Sequence, residues 1–267
     1  MANGKLFVLE AKDISGDGKI NIDDLQWSYL KGDGDFRSPE VTALRDEADI
    51  IITNPPFSLF REFVVWATDG GKKLSVIGNI NSITYKEVFP LIQANQLWLG
   101  VTHFNMGMYF RVPAGFVWAD TYKFEREQGG VKVNRVPGVC WLTNIEHGRR
   151  HEPLQLMTMD DNVRFNKKLK GQPYQHYDNF DAMDVPYTDA VPSDYDGVMG
   201  VPITFLDKYN PEQFEIVGSF NAGAHGDEIG ATKTEIVTNG KSLLWNGPVI
   251  DKQPQYKRIL IRRRHTE

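Results

Sequence analysis

The stretch from Ala48 to Phe57, Ala-Asp-Ile-Ile-Ile-Thr-Asn-Pro-Pro-Phe, limits the possible fold of this protein more than any other. Three isoleucines and a threonine make an unbroken β-branched run, the pattern of a buried strand in a parallel sheet. Two successive prolines then end it, because they lack N–H donors and fix φ. The backbone leaves the sheet at Asn54, at the carboxyl end of a strand, where open α/β sheets bind their ligands. A polar amide, two rigid prolines and an aromatic ring are held together at that end.

This grouping suits an amino group on a flat ring. The amide oxygen of Asn54 and the backbone carbonyl of Pro55 can both accept from one –NH2 group. Two acceptors on one nitrogen draw its lone pair out of conjugation and towards an electrophile. Phe57 offers a face for the ring to stack on. Asn54-Pro55-Pro56-Phe57 resembles the catalytic tetrapeptide of amino-methyltransferases acting on adenine N6. The other reading of the same residues is a proline-stiffened loop after a core strand.

A length of 267 residues is enough for one large α/β domain, or a domain with a sizeable insertion. A net charge of −5 excludes a protein coated in positive charge, and leaves room for a local basic groove. One cysteine, Cys140, excludes an internal disulfide and fits a reducing cytoplasm. No apolar run reaches membrane-spanning length, so no membrane partner is expected.

Taken in order, the segment KLFVLEA reads as a strand. Residues 13–24 follow, with oxygen side chains at the first, third and fifth places, glycine sixth, Asn21 ninth and Asp24 twelfth, close to a calcium loop. The shorter Asp24 at the closing place, the preceding strand and the single copy favour a plain Asp/Gly turn, and no metal is assigned. A short helix is expected from Asp23 to Leu30, and another after Ser38, with Pro39 at its first position. After Phe57 the pattern gives a helix over 59–68, a strand over 74–79, a helix over 85–95 and a strand from Trp98. This alternation predicts a parallel, doubly wound sheet.

From 102 to 134 the periodicity is lost. Phe104, Tyr109, Phe110, Phe116, Trp118, Tyr122 and Phe124 mix with Arg111, Lys123 and Arg126. A strand returns at 139–144. Residues 158–195 read as irregular, 201–205 and 214–218 as strands, and 256–265 as a strand with a basic tail ending in His265.

Several segments carry a longer resemblance. They are Gly32 to Ser38, Thr53 to Glu62, Ile83 to Glu87, Trp141 to Asn144, Arg150 to Glu152, Tyr195 to Leu206 and Tyr256 to Ile261. Together, and in this order, they resemble the EcoRI-type adenine-specific DNA methyltransferases. The resemblance implies a Rossmann-like methyltransferase fold, mostly parallel and doubly wound, with an irregular α+β target-recognition region. It implies a catalytic core over 1–101 and a recognition insertion over 102–218 that also returns the strand near 139–144. Residues 219–267 would be a C-terminal segment ending in a basic strand.

The resemblance further implies S-adenosylmethionine as methyl donor and double-stranded DNA as partner. Asn54, Pro55, Pro56 and Phe57 would be catalytic, acting on an adenine flipped out of the duplex. Asp35 and Phe36 would meet the adenine of the cofactor. Arg149, Arg150, Lys167, Lys168, Arg262 and Arg263 are the candidate phosphate contacts, each with the alternative of an ordinary solvated surface residue.

The family pattern has two more strands ahead of Asp35, including the loop for the methionine end of the cofactor. The sheet is therefore expected to be incomplete at its N-terminal side, with a separate N-terminal segment completing the site and weak cofactor binding by the protein alone. Residues 214–226 are the candidate for a permuted glycine loop. Two other classes stay open: a DNA-binding or interaction module without chemistry, and a calcium-dependent interaction protein.

Overall fold

The computed structural model describes residues 3–104, 106–113, 115–116, 125–238 and 240–264, with 125–128 described by their backbone. Trp118, Tyr122, Lys123, Phe124 and His265 lie outside the described residues, as does the side chain of Arg126. The architecture is mixed α/β, built on two main sheets.

The first sheet has four strands in the order Ile50–Thr53, Lys73–Asn79, Val139–Thr143, Trp98–Leu99. Ile50–Thr53 and Lys73–Asn79 are parallel, and Val139–Thr143 runs against both of its neighbours. Three of the four strands therefore point the same way. The sheet is mixed: two of the three pairings are antiparallel, because Val139–Thr143 alone is reversed. Val139–Thr143 enters directly from Val131–Val136, a strand of a different sheet, after a tight turn at Pro137 and Gly138 (φ 74°), and no crossover helix stands between the two strands.

The two faces of this sheet differ. Leu74, Val76 and Leu142 share a face with Ile51 and Thr53, and the helix Phe60–Asp69 packs there. That helix buries Phe60, Phe63, Val64 and Ala67, a single stripe at helical spacing. Its approach depends on Gly78, since a Cβ there would stand 2.6 Å from the Phe60 ring. On the other face, Ile77 and Val139 pack with Met108. Ile50 and Ile52 share that face at the outer strand, and are 51% and 68% exposed.

The second sheet has the order Gln175–His176, Met183–Asp184, Met199–Pro202, Arg258–Arg263, Phe214–Phe220. Met183, Met199, Ile216, Ile259 and Ile261 join the same buried cluster as Leu74, Val76 and Leu142, so one core runs under both sheets. The strand Phe214–Phe220 passes through the boundary expected at 218.

Other expectations are revised. No helix forms over 23–30; the turn Ile22–Asp24 leads into Gln26–Tyr29, which pairs antiparallel with Lys5–Val8. Trp27 and Tyr29 are strand formers, and they find Phe7 and Lys5 opposite them. The helix expected over 85–95 shrinks to Phe89–Gln93, because Pro90 can only stand in a first turn. Residues 102–134, unreadable as sequence, contain the antiparallel strands Met108–Arg111 and Glu125–Gln128, and the start of Val131–Val136 between them. The irregular stretch 158–195 holds the helix Met159–Phe165 and two short strands. The strand expected to reach 205 stops at Pro202 and continues as the turn Ile203–Asp207. No helix among the described residues is long and apolar enough to cross a membrane.

Candidate active site

The Ile50–Thr53 strand ends where the sequence says it must. Asn54 and Pro56 stand exposed, Pro55 is buried, and Phe57 is 44% exposed. Pro56 opens the tight turn Phe57–Leu59, and Leu59 N–H donates to the Pro56 carbonyl at 2.9 Å. Phe60 then starts the helix that packs under the sheet. Proline rigidity and a buried helix thus fix the backbone on both sides of Phe57. Among the described residues, the Asn54 side chain makes no hydrogen bond and the Phe57 ring makes no ring contact, so both are presented to solvent.

The rim beside them comes from the next strand. Asn79 ends Lys73–Asn79 and caps the turn Ile80–Thr84, accepting from Asn81 N–H at 2.9 Å. Arg61 in the helix lies over the Tyr85 ring at 4.3 Å and reaches Glu87 at 3.8 Å. Thr84 in turn accepts from Lys257 Nζ at 3.1 Å. Sequence reasoning did not single out Arg61, Tyr85 or Lys257 as neighbours of this rim. All three lay inside resembling segments, but nothing local in the sequence announced their contacts.

Asp35 and Phe36 lie ahead of the helix Pro39–Glu47, which Ser38 caps by accepting from Val41 N–H. Phe36 packs edge-on against Phe63 and Trp66, with ring centroids 5.3 and 5.4 Å away. This brings Phe36 onto the helix that follows the Asn-Pro-Pro-Phe turn. A cleft of about 380 Å³ runs beside Phe36 and Trp66, with Arg61 and Glu62 on its wall. Asp35 Oδ1 accepts from Arg37 N–H and Nε, and Oδ2 accepts from Arg37 Nη2. The guanidinium hydrogen bonds hold the Asp35 carboxyl down to about 2, so it is ionised throughout the neutral range. A carboxylate offers about four acceptor positions, so one remains beyond the three that Arg37 uses.

The basic candidates have different surroundings. Arg150 is buried, stacked on the Trp98 ring at 3.7 Å and 3.3 Å from Glu146. Arg149 pairs with Asp207 at 2.8 Å and donates to the Val101 carbonyl. Lys168 pairs with Asp189 at 2.9 Å, and Arg263 Nη1 donates to the Ser193 carbonyl. Lys167 and Arg262 are exposed. Two of the six candidates thus project freely, while Arg149 and Arg150 tie the 145–151 segment to the sheets.

The two other sequence candidates are closed from within. Asp24 is buried and accepts from the N–H groups of Ile14, Ser15 and Asn21, so the closing carboxylate of the 13–24 loop binds backbone. No group of three or more His, Cys, Asp or Glu suited to a metal occurs among the described residues. In the glycine stretch, Gly223 N–H donates to Asn246 Oδ1 at 2.7 Å, and Asn246 Nδ2 donates back to the Gly223 carbonyl. The N–H of Gly223 is thus already taken and is not on offer to an anion.

The family described as adenine-specific methyltransferase EcoRI matches residues 2–264. The type II methyltransferase M.EcoRI of Escherichia coli is 45% identical over 206 residues, which are 74% of this protein and 59% of that one. M.MpnI of Mycoplasma pneumoniae is 31% identical over 268 residues, covering 97% of this protein and 79% of the relative. M.MgeORF184P of Mycoplasma genitalium is 34% identical over 238 residues, covering 88% and 70%. The match to M.EcoRI thus spans less than two thirds of that relative's length. No solved structure matches the sequence. With nearly its whole length matched, the chain belongs to the EcoRI family of adenine-specific methyltransferases.

Proposed function

We propose that this protein forms the catalytic part of a site-specific DNA methyltransferase that transfers a methyl group from S-adenosylmethionine to N6 of an adenine turned out of the duplex. The observation that carries the reading is Asn54, exposed and without a hydrogen-bond partner among the described residues, at the carboxyl end of a parallel strand, with Phe57 open beside it. A target base in a duplex is stacked and paired, so it must leave the stack to reach such a site. Phe57 stacks on the extruded ring. The Asn54 and Pro55 carbonyls accept from N6, fixing its direction and raising its nucleophilicity. Catalysis by these residues is orientation and electrostatic tuning. Lys167 and Arg262 are the phosphate contacts of this reading, from their exposure.

S-adenosylmethionine supplies the methyl group when bound. The described residues suit one end of it: Asp35 has an acceptor position for a ring amine, and Phe36 a neighbouring cleft. They do not suit the methionine end, which needs free N–H groups at a glycine-rich turn after a strand. The free edge of Ile50–Thr53, next to the open face at Ile50 and Ile52, supports a further parallel strand there, carrying that turn and completing a doubly wound sheet.

A second reading, a DNA-binding module without chemistry, is favoured by that one-ended cofactor site. Radiolabelled methyl transfer to duplex DNA separates the two. Asn54→Ala is expected to abolish transfer while DNA affinity stays within a few-fold, because the amide acts on N6 and not on phosphate. Equal activity in variant and parent would remove the catalytic assignment. Calorimetry with S-adenosylmethionine is expected to show very weak binding or none by this protein alone.

A further inference from the structure

Lys257 stands just ahead of the Arg258–Arg263 strand of the second sheet, and its Nζ donates to Thr84 Oγ1 at 3.1 Å. Thr84 ends the turn that follows Lys73–Asn79, and its neighbour Tyr85 carries Arg61 over its ring. Arg61 is the second residue of the helix that begins at Phe60, directly after the Phe57–Leu59 turn. A series of contacts therefore runs from the Asn-Pro-Pro-Phe turn to a lysine 173 residues beyond Thr84.

The surroundings of this lysine are unusual. Its side chain is partly buried, and no carboxylate lies within ion-pair distance among the described residues. Besides Thr84, its neighbour is the Tyr256 ring, with the centroid 5.9 Å away. Burial holds its pKa below the usual lysine range, and no carboxylate raises it again. The bases linked to the same series of contacts are satisfied: Arg258 by Asp184 at 2.8 Å, and Arg61 by Tyr85 and Glu87. A desolvated cation facing only a hydroxyl and a ring is costly unless an anion meets it.

We propose that Lys257 is an anion site, and that its anion is a backbone phosphate of the DNA strand whose adenine enters the Asn54 site. The proposal rests on the methyltransferase reading. A flipped nucleotide keeps its flanking phosphates near the mouth of the pocket that takes its base. From the second sheet Lys257 is tied through Thr84 to the turn that follows Lys73–Asn79, the strand next to the one that ends at Asn54. An ammonium is a compact point charge without the planar fork that reads a base edge, which favours phosphate over guanine. Tyr256 beside it is 67% exposed, leaving the approach open.

The test is the salt dependence of duplex binding, measured by fluorescence anisotropy on the whole protein with several unrelated sequences. Lys257→Gln is expected to weaken binding by a similar factor on all of them, and to lower the slope of log K against log salt by about one. Lys257→Arg is expected to retain the slope. Thermal stability of Lys257→Gln should equal or exceed that of the parent, since a desolvated charge is removed. An unchanged slope, a loss confined to one sequence, or a lower melting temperature with binding intact would each overturn the proposal. If the parent binds DNA and only the Lys257 effect is missing, the methyltransferase reading stands. If the parent fails to bind any duplex, both fall.

Discussion

Asp184 sits almost fully buried on the second sheet, and its Oδ1 accepts from Arg258 Nε at 2.8 Å and from the Tyr177 hydroxyl. Burial, with the Asp184 charge beside it, pushes the Tyr177 phenol well above its ordinary range, so the hydroxyl keeps its proton and donates. Asp184 and Tyr177 are buried, and Arg258, mostly buried, also donates to the Tyr256 carbonyl. Asp184→Ala is therefore expected to cost about 3 kcal/mol or more in urea unfolding, since it leaves a guanidinium buried without its counter-ion. Replacing Asp184 and Arg258 together by apolar residues of similar size should cost less than the single change. The same principle applies to the basic runs. Arg149 and Arg150 look like phosphate contacts, yet their partners Asp207 and Trp98 lie far away in the sequence. No local pattern announces such a partner.

Elements were legible where one short-range rule controlled them. Three isoleucines followed by two prolines gave a strand and its end. Ser38 and Pro39 gave a helix start, and the apolar spacing after Phe57 gave the helix that packs on the sheet. Elements were lost where a competing local signal was not weighed. Pro90 shortened a helix, and Trp27 and Tyr29 chose a strand partner over a helix. The turn at Gly129 and Gly130, both at positive φ, is a hairpin signal that the aromatic and basic mixture around it obscured. The direction of Val139–Thr143 was not legible, because alternation of strands and helices says nothing of a strand that enters from another sheet without a crossover helix. The outer strand carries its own prediction. Ile52 is exposed and its strand has one unpaired edge, which is a template for association. Ile52→Lys should leave the melting temperature nearly unchanged, because little apolar surface is lost, and should reduce self-association in light scattering. A large fall in melting temperature would mean that Ile52 is covered within the molecule.

At the scale of the whole molecule, the two sheets share a core, and polar clips hold their junction. Gln93 Nε2 donates to the Val217 carbonyl, and Phe104 N–H donates to Asp207. His151 is the titratable clip: its Nε2 contacts Glu146 at 2.7 Å and its Nδ1 contacts Glu212 at 2.7 Å. The hydrogen bonds to Glu146 and then Glu212 raise its pKa above the ordinary histidine value. Arg150 also faces Glu146, so that carboxylate is shared between two cations. A group whose folded pKa is raised adds stability that is fully present below its unfolded pKa of about 6.5. That stability is lost as pH rises through the folded value. The clip is exposed to solvent and screened, so its effect is modest, about 2 °C in melting temperature at most. His151→Gln is therefore expected to lower the melting temperature below about pH 6.5, to match the parent once the raised His151 has lost its proton, and to remove the fall over that interval. A parent protein whose stability rises over that interval as steeply as the variant's would show that His151 does not carry the junction's pH dependence.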